Sequence, residues 1–328
     1  MGTACAILLA ERGAAQVTLW VRNPDDAEKL STTRRNERYL PVAVLPASIA
    51  VTSDPAASDG ADWLVAAIPT AHLRTTLSPL ARYVPAGVPV ASVVKGIEQR
   101  TFERPSQILR EALGPRPVVA LCGPSHAEEM SRLLPTSVVA ASDDLAAAKA
   151  AQTLFNTDRF RVYTNEDLVG VEWAGALKNV VAIAAGVCDG LGYGDNAKAA
   201  LLTRACVEMS RFGARMGARP DTFLGLAGIG DLMTSCFSPH GRNRFVGCRI
   251  GEGATLAQAL AEIHGVAEGV NTCRSVYDMA RESGVDMPIV AEVASILFEG
   301  KPPREGTDAL MRRPPRSESR TQDSSTTH

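Results

Sequence analysis

Apolar residues in the first half of the chain fall in short, unbroken runs. VTLWV (17–21), IAVT (49–52), WLVAAI (63–68), VPVASVV (88–94), VVAL (118–121) and TSVVAA (136–141) read as strands, because a run without polar alternation suits a strand covered on both faces. Helical periodicity occupies intervals between them, at 3–12, 70–82, 100–113 and 143–156. Strands alternating with helices predict an α/β domain built on a doubly wound parallel sheet. After about residue 164 the strand signal stops, and helical patterns cover 166–189, 195–217, 255–263, 268–283 and 288–298. The expected organisation is a dinucleotide-type sheet domain over 1–164 and an all-helical domain over 165–311. The remainder, RRPPRSESRTQDSSTTH (312–328), has almost nothing apolar to bury and is expected to be a disordered tail.

Composition narrows the classes. The 328 residues are 45% hydrophobic and 21% charged, with a formal net charge of −2. Nucleic acid and anionic membrane are both held by basic surfaces, so neither is expected as a partner. Runs such as WLVAAI and VVAIAAGV (180–187) fall short of the roughly 18 residues a membrane helix needs, so no membrane insertion is expected. No basic stretch precedes Ala4–Ala10, and Glu11 and Arg12 follow it, unlike a signal peptide. Ala6 stands where an N-myristoylation motif wants Ser or Thr. The seven cysteines (5, 122, 188, 206, 236, 248, 273) are odd in number and form no C-x-x-C. Free thiols in a reducing cytoplasm are therefore expected, with no disulfide framework and no metal site.

Several segments carry candidate chemistry. A dinucleotide domain opens with a strand, a G-x-G-x-x-G turn and a helix whose N-terminus holds the pyrophosphate. Here only Met1-Gly2 precede the first helix. Arg22, at the tip of the VTLWV strand, stands where an acidic residue would grip a ribose 2′-hydroxyl; it suits a 2′-phosphate, or is a surface arginine. Lys95 follows an apolar strand beside Gly96, where a side chain points into the crevice at the strand ends or into solvent. In CGPSHAEEM (122–130), Ser125 either caps a helix or offers its hydroxyl to an anion. Lys178 interrupts an otherwise small and apolar helix, VEWAGALKNVVAIAAG (171–186). Desolvation there lowers an ammonium toward the acid–base range; the alternative is a lysine snorkelling along an interface.

In LAGIGDLMTSCFSPHGRNRFVG (226–247), Asp231 and Ser235 lie one helical turn apart, and Arg242-Asn243-Arg244 follows a Pro-His-Gly break. Guanidinium, amide and hydroxyl together suit a phosphate. Glu268, in HGVAEGV (264–270), is placed to lie in a loop over a cofactor. Gly190-Leu-Gly192-Tyr-Gly194 and Gly251-Glu-Gly253 follow helices and read as helix ends, not phosphate turns. The histidines (72, 126, 240, 264, 328) form no H-E-x-x-H and no nucleophile pairing; His126, on the Ser125 loop, is the one near the proposed site, and no catalytic role is expected of it.

Taken in order, LWVRNP, RYLP (38–41), VVKGIE, CGPSHAEE, FRVYTNED (160–167), GALKNVVAIAAGVCDGLGYGDNAKAALLTR (175–204), GLAGIGDLMTSC (225–236), GRNR (241–244) and AEGV (267–270) resemble bacterial NAD(P)-dependent glycerol-3-phosphate dehydrogenase, from Gly2 to about Met311. The resemblance implies a Rossmann-like sheet and a substrate domain that together interconvert sn-glycerol 3-phosphate and dihydroxyacetone phosphate for phospholipid synthesis, with NADPH favoured over NADH. Lys178 would be the general base, with Asn179 beside it and Asp231 holding it. Lys95, Gly123, Ser125, Ser235, Gly241, Arg242 and Asn243 would contact substrate; at 241 a serine is common and one hydroxyl contact is lost. Gly2, Arg22, Tyr39, Lys95, Ala127, Arg242, Val266 and Glu268 would meet the dinucleotide. A homodimer is plausible from apolar faces on the helices.

Against the family pattern the first strand and most of GAGxWG are absent, about ten residues. The expectation is a sheet whose central strand is missing, leaving two neighbours without ladder partners. A late start-codon assignment is the simpler explanation, and lost cofactor binding the other. A two-domain hydroxyacid reductase and a non-catalytic remnant are the competing functions.

Overall fold

In the computed structural model, residues 1–13, 16–315 and 317–318 are described. Each apolar run gives a strand: β1 Thr18–Trp20, β4 Ala50–Thr52, β5 Leu64–Ala66, β6 Val90–Ser92, β7 Val118–Cys122 and β8 Thr136–Ala141. Three further strands were not expected: β2 Arg35–Asn36, β3 Leu40–Val44 and β9 Phe160–Asn165. β9 alternates, with Phe160 and Val162 buried and Arg161 and Tyr163 exposed. That is the pattern of an edge strand covered on one face, not of an unbroken run. The helices of this half are α1 Gly2–Glu11, α2 Pro24–Thr33, α3 Thr70–Leu77, α4 Pro105–Leu113, α5 Ala127–Met130 and α6 Leu145–Phe155. α4 starts later than the periodicity suggested. Arg100 and Phe102 have φ of 72° and 60°, outside helical backbone, and Pro105 supplies the fixed φ that opens a helix.

Five strands form one sheet in the order β5-β6-β7-β8-β9, and β1-β4 and β2-β3 form separate pairs. As expected, β1 and β5 each have a ladder partner on one side only among the described residues. α1 starts between them: a Cβ on Gly2 would stand 3.4 Å from Ala67 and 3.9 Å from Leu19. The sheet is mixed, not parallel throughout, because β7 and β8 pair antiparallel. The connection between them runs only from Gly123 to Pro135 and holds the one-turn helix α5, so the chain returns from the edge it left. That return keeps residues 123–126 at the carboxyl edge of the sheet.

From Leu168 onward the described chain is helical: α7 Leu168–Gly190, α8 Asp195–Arg215, α9 Asp231–Phe237, α10 Arg242–Gly251, α11 Leu256–Ala261, α12 Glu268–Ser283, α13 Pro288–Phe298 and α14 Pro303–Met311. α7 is long and apolar enough to cross a membrane, with mean hydropathy 1.4, which the separate runs did not reveal. Yet 94% of its most apolar stretch is buried, so it is the core helix around which the others pack. The two glycine clusters end α7 and α10, as helix ends should. Of the expected tail, residues 316 and 319–328 lie outside the described residues; 312–315 and 317–318 carry no helix or strand.

α10 was not foreseen, because RNRFVGCRIG has little apolar periodicity. It forms by close approach to α7. A Cβ on Gly247 would run into the Ile183 carbonyl oxygen, and one on Gly186 into that of Arg244. Gly247→Ala should therefore destabilise the protein by about 1–3 kcal/mol, although alanine is by itself the better helix former. A urea midpoint equal to wild type would show that the two backbones can part at no cost.

Glu208, in α8, is buried and accepts from the backbone N–H groups of Ile289 (3.0 Å) and Val290 (2.9 Å) at the start of α13. Burial pushes its carboxyl up to about 7, against the pull of those two bonds. A carboxyl raised in the folded state binds its proton more tightly there than in the unfolded chain. Its contribution is therefore complete below the unfolded value near 4.5 and is lost as pH rises through about 7. The urea midpoint of Glu208→Gln should vary less than wild type between pH 5 and 8; parallel profiles would assign the dependence elsewhere.

Candidate active site

The carboxyl ends of β6 and β7 face the middle of α7, and the contact depends on small residues. A Cβ on Gly175 would lie 2.8 Å from Cys122 Sγ and 3.6 Å from Lys95 Cγ. With only hydrogen at position 175, α7 approaches the sheet edge, and Lys178, one turn on, points to the same cleft. Asp231 enters from the first turn of α9, after the glycine-bearing turn 225–230, where a Cβ on Gly230 would stand 3.6 Å from Pro124 Cδ. Ser235 follows on the same face of α9, as its spacing of four residues requires.

Asp231, only 2% exposed, joins two lysines. Lys178 Nζ donates to its Oδ1 at 3.0 Å and Lys95 Nζ to its Oδ2 at 2.6 Å. Lys178 also donates to Ser235 Oγ at 2.6 Å. Lys95 donates further to the Gly123 carbonyl (2.9 Å) and Ser125 Oγ (3.3 Å). An ammonium has three N–H bonds. Lys95 uses all of them within the protein, whereas among the described residues Lys178 uses two and keeps one.

The electrostatics separate the two lysines in the same way. Burial pushes the Lys178 ammonium below its usual value, with the Lys95 charge acting alongside and Asp231 opposing. For Lys95, burial is outweighed by Asp231, with Cys122 and the hydrogen bond to Asp231 adding to it, and the net shift is upward. Burial alone would raise the Asp231 carboxyl, but Lys178 and Lys95 together hold it below the usual carboxylate range. Of the two lysines, Lys178 is thus the one whose ammonium is held less firmly in its charged form, Lys95 the one kept charged, and Asp231 the anion between them.

A second group of residues extends the cleft. Asn179 Nδ2 donates to the Lys95 carbonyl at 2.9 Å, and its Oδ1 accepts from Asn243 Nδ2 at 2.9 Å. Asn243 Oδ1 accepts from the Gly269 N–H at 2.9 Å, so this amide pair ties α7, α10 and α12 together. Gly241 is the N-cap of α10, and Arg242 its first residue. A Cβ on Gly265 would stand 2.8 Å from Arg242 Nη1 and 3.8 Å from Tyr39 Cε1, so the guanidinium, the turn before Val266 and the exposed Tyr39 converge. Arg38 lies over the Tyr39 ring at 5.1 Å. Ala127 opens α5, and Arg22 is exposed just beyond β1.

Two expectations need correction. Ser125 does not cap α5: His126 is the N-cap, and the Ser125 hydroxyl donates to the Gly123 carbonyl at 2.8 Å. Glu268 is the first residue of α12 rather than a loop residue, and its Oε1 accepts from the Thr70 N–H at 2.8 Å. Burial raises its carboxyl, against the Thr70 N–H bond and Arg242.

Sequence reasoning missed Cys122, whose Sγ lies 3.6 Å from Asp231 Oδ2 and whose thiol burial pushes up to about 11. Its place at a strand end before Gly123 was the available signal. It also missed the lock between the two halves. Glu172 of α7 accepts from Arg104 Nη1 (2.5 Å), Ser106 N (2.6 Å) and Ser106 Oγ (2.7 Å) at the start of α4. No group of metal-ligating side chains occurs among the described residues.

Two family models match the chain, described as the NAD-dependent glycerol-3-phosphate dehydrogenase N-terminus over residues 1–148 and C-terminus over 167–308. The glycerol-3-phosphate dehydrogenase [NAD(P)+] of Chlorobium limicola is 48% identical over 97% of this chain and 96% of its own length. The crystal structure of glycerol-3-phosphate dehydrogenase from Coxiella burnetii superposes with a TM-score of 0.90 at 33% identity, covering 95% of each chain. A ketopantoate reductase from Ralstonia eutropha, at 14% identity and a TM-score of 0.57, shares the fold alone. The chain belongs to the NAD-dependent glycerol-3-phosphate dehydrogenase family.

Proposed function

We propose that this chain interconverts sn-glycerol 3-phosphate and dihydroxyacetone phosphate with NAD or NADP. The observation that carries the reading is the buried Lys95–Asp231–Lys178 chain, with one Lys178 N–H left over and Arg242 and Asn243 nearby. Family membership and the 48% identical relative give it its substrate. The likeness to a ketopantoate reductase extends only to the fold, so the hydroxyacid-reductase alternative has no comparable support.

The residues present fit a dinucleotide. Gly2 lets α1 begin between Leu19 and Ala67, so its first N–H groups face the crevice at the ends of β1 and β5. Arg22 lies at the end of β1, where it would meet a 2′-phosphate and favour NADPH. Tyr39, Ala127, Arg242, Val266 and Glu268 would line the remainder. Bound there, the nicotinamide supplies the hydride donor or acceptor.

The protein's own part follows from the geometry. Arg242, with Asn243 beside it at the start of α10, would grip the substrate phosphate, because a guanidinium matches it in charge and shape; the Gly241 N–H is spent on the Ser238 carbonyl at 3.3 Å. Lys178 would give a proton to the C2 oxygen as the ketone is reduced and take it back in oxidation. Ser235 and Asp231 fix the Lys178 ammonium through two of its N–H bonds, and the third would serve that oxygen. Lys95 keeps Asp231 ionised and anchors the Gly123–Ser125 loop; a substrate contact from it would replace the long bond to Ser125.

Oxidation of NADPH by the purified chain tests the reading directly. It should require dihydroxyacetone phosphate and fail with unphosphorylated dihydroxyacetone; a folded chain without turnover would favour the non-catalytic alternative. Arg242→Ala should raise KM for the phosphorylated ketone with a smaller change in kcat. An equal loss with and without the phosphate would remove Arg242 from that role.

Three further parts belong to the proposal. Residues 1–164 would form the dinucleotide domain and 165–311 the catalytic domain. The described cysteines are all unpaired, which supports a reducing cytoplasm, where the product would serve phospholipid synthesis. Ile229, Met233 and Phe237 are exposed at four-residue spacing beside exposed Leu224, an apolar face that supports a homodimer.

A further inference from the structure

His126 stands between the two halves of the site with an unmet hydrogen-bonding need. Its Nε2 is buried and has no partner among the described residues. The ring is not used in capping α5, although His126 is the N-cap. Its edge meets the ring of His240, with centroids 6.0 Å apart and planes at 62°, so it bridges from the Ser125 loop to the turn that leads into Arg242. Buried polar atoms are nearly always paired, so a buried orphan on the loop that carries Ser125 and Gly123 points to a ligand atom that completes it.

Burial pushes the imidazole below its usual value, and Lys178 and Lys95 add to the effect. The ring is therefore neutral at neutral pH, with one nitrogen donating and the other accepting. A phosphate only accepts and is better matched by Arg242. A hydroxyl both donates and accepts, as a neutral imidazole does.

A triose phosphate carries three polar positions. The proposed function assigns its C2 oxygen to Lys178 and its phosphate to Arg242 and Asn243, and ties no residue to the terminal C1 hydroxyl; Lys95 and Ser125, the other candidates on that side, already bond each other and the Gly123 carbonyl. Resting on that reading, we infer that His126 Nε2 hydrogen-bonds the C1 hydroxyl and thereby selects hydroxymethyl ketones over methyl ketones.

The test compares dihydroxyacetone phosphate with hydroxyacetone phosphate, which lacks only that hydroxyl. Wild type should prefer the former in kcat/KM, and His126→Ala should reduce the preference at least about 10-fold by losing activity on dihydroxyacetone phosphate alone. His126→Gln, which restores a donor and an acceptor, should recover part of it and guards against a misfolded alanine variant. Equal losses on both ketones, or none, would overturn the assignment of His126 while leaving the proposed function standing. Absence of dihydroxyacetone phosphate reduction by wild type would overturn both.

Discussion

Lys178→Ala should lower kcat at least about 10²-fold, the usual scale for a lost acid–base group, with the fold retained. The prediction separates Lys178 from Lys95, its neighbour on the same carboxylate. All of Lys95's donors are engaged inside the protein, whereas Lys178 has one unspent. Burial also moves the two apart, lowering Lys178 while Asp231 holds Lys95 charged. Because the Lys178 ammonium is pushed down, the pH profile of the oxidation should rise at a lower pH than a free lysine would give. Alanine removes both the proton and that inflection. Turnover at the wild-type rate, or an inflection that survives the substitution, would exclude Lys178 as the proton-transferring group.

Asp231→Ala should damage stability and catalysis together. It removes the anion shared by two buried ammonium groups and leaves them facing each other. Breaking a buried pair by deleting one partner costs about 3–5 kcal/mol, less whatever the lysines recover by losing a proton. Lys178 would be the one to do so, since it would keep the burial and the Lys95 charge that lower it and lose the carboxylate that opposes them. A neutral Lys178 has no proton to give the ketone, so reduction should fall at least as far as in Lys178→Ala. The same carboxylate predicts acid sensitivity. Its folded value lies below the unfolded one, so its contribution is present above the unfolded value and is lost as pH falls through the folded one. Urea titrations of wild type and Asp231→Ala at pH 7 should differ, and the difference should narrow in acid. Equal midpoints at neutral pH would mean that the lysines do not need the carboxylate.

The pattern of the chain fixed its elements well where burial is uniform. Strands covered on both faces read as apolar runs, and the succession of helices after β9 was plain from periodicity. The chemistry was legible for the same reason: Lys178 is conspicuous because everything around it in α7 is small or apolar, and Asp231 and Ser235 lie four residues apart on one helical face. Where residues are neither uniformly buried nor periodic, the pattern was silent. β9 alternates, and α10 is held by glycine contacts with α7 that no single-helix periodicity records. The antiparallel turn from β7 to β8 depends on where a connection leads, which a run of valines and alanines does not encode.

The sequence by itself determined which residues carry charge and hydroxyls, and that an α/β half precedes a helical one. Only the tertiary structure decided what each group does with its hydrogen bonds. It exhausted the donors of Lys95, left one on Lys178, turned Ser125 away from its helix and left His126 Nε2 without a partner. The reason is physical. Burial and pairing are set by side chains more than a hundred residues away, as Asp231 is from Lys95, and their distances exist only once the two halves have packed.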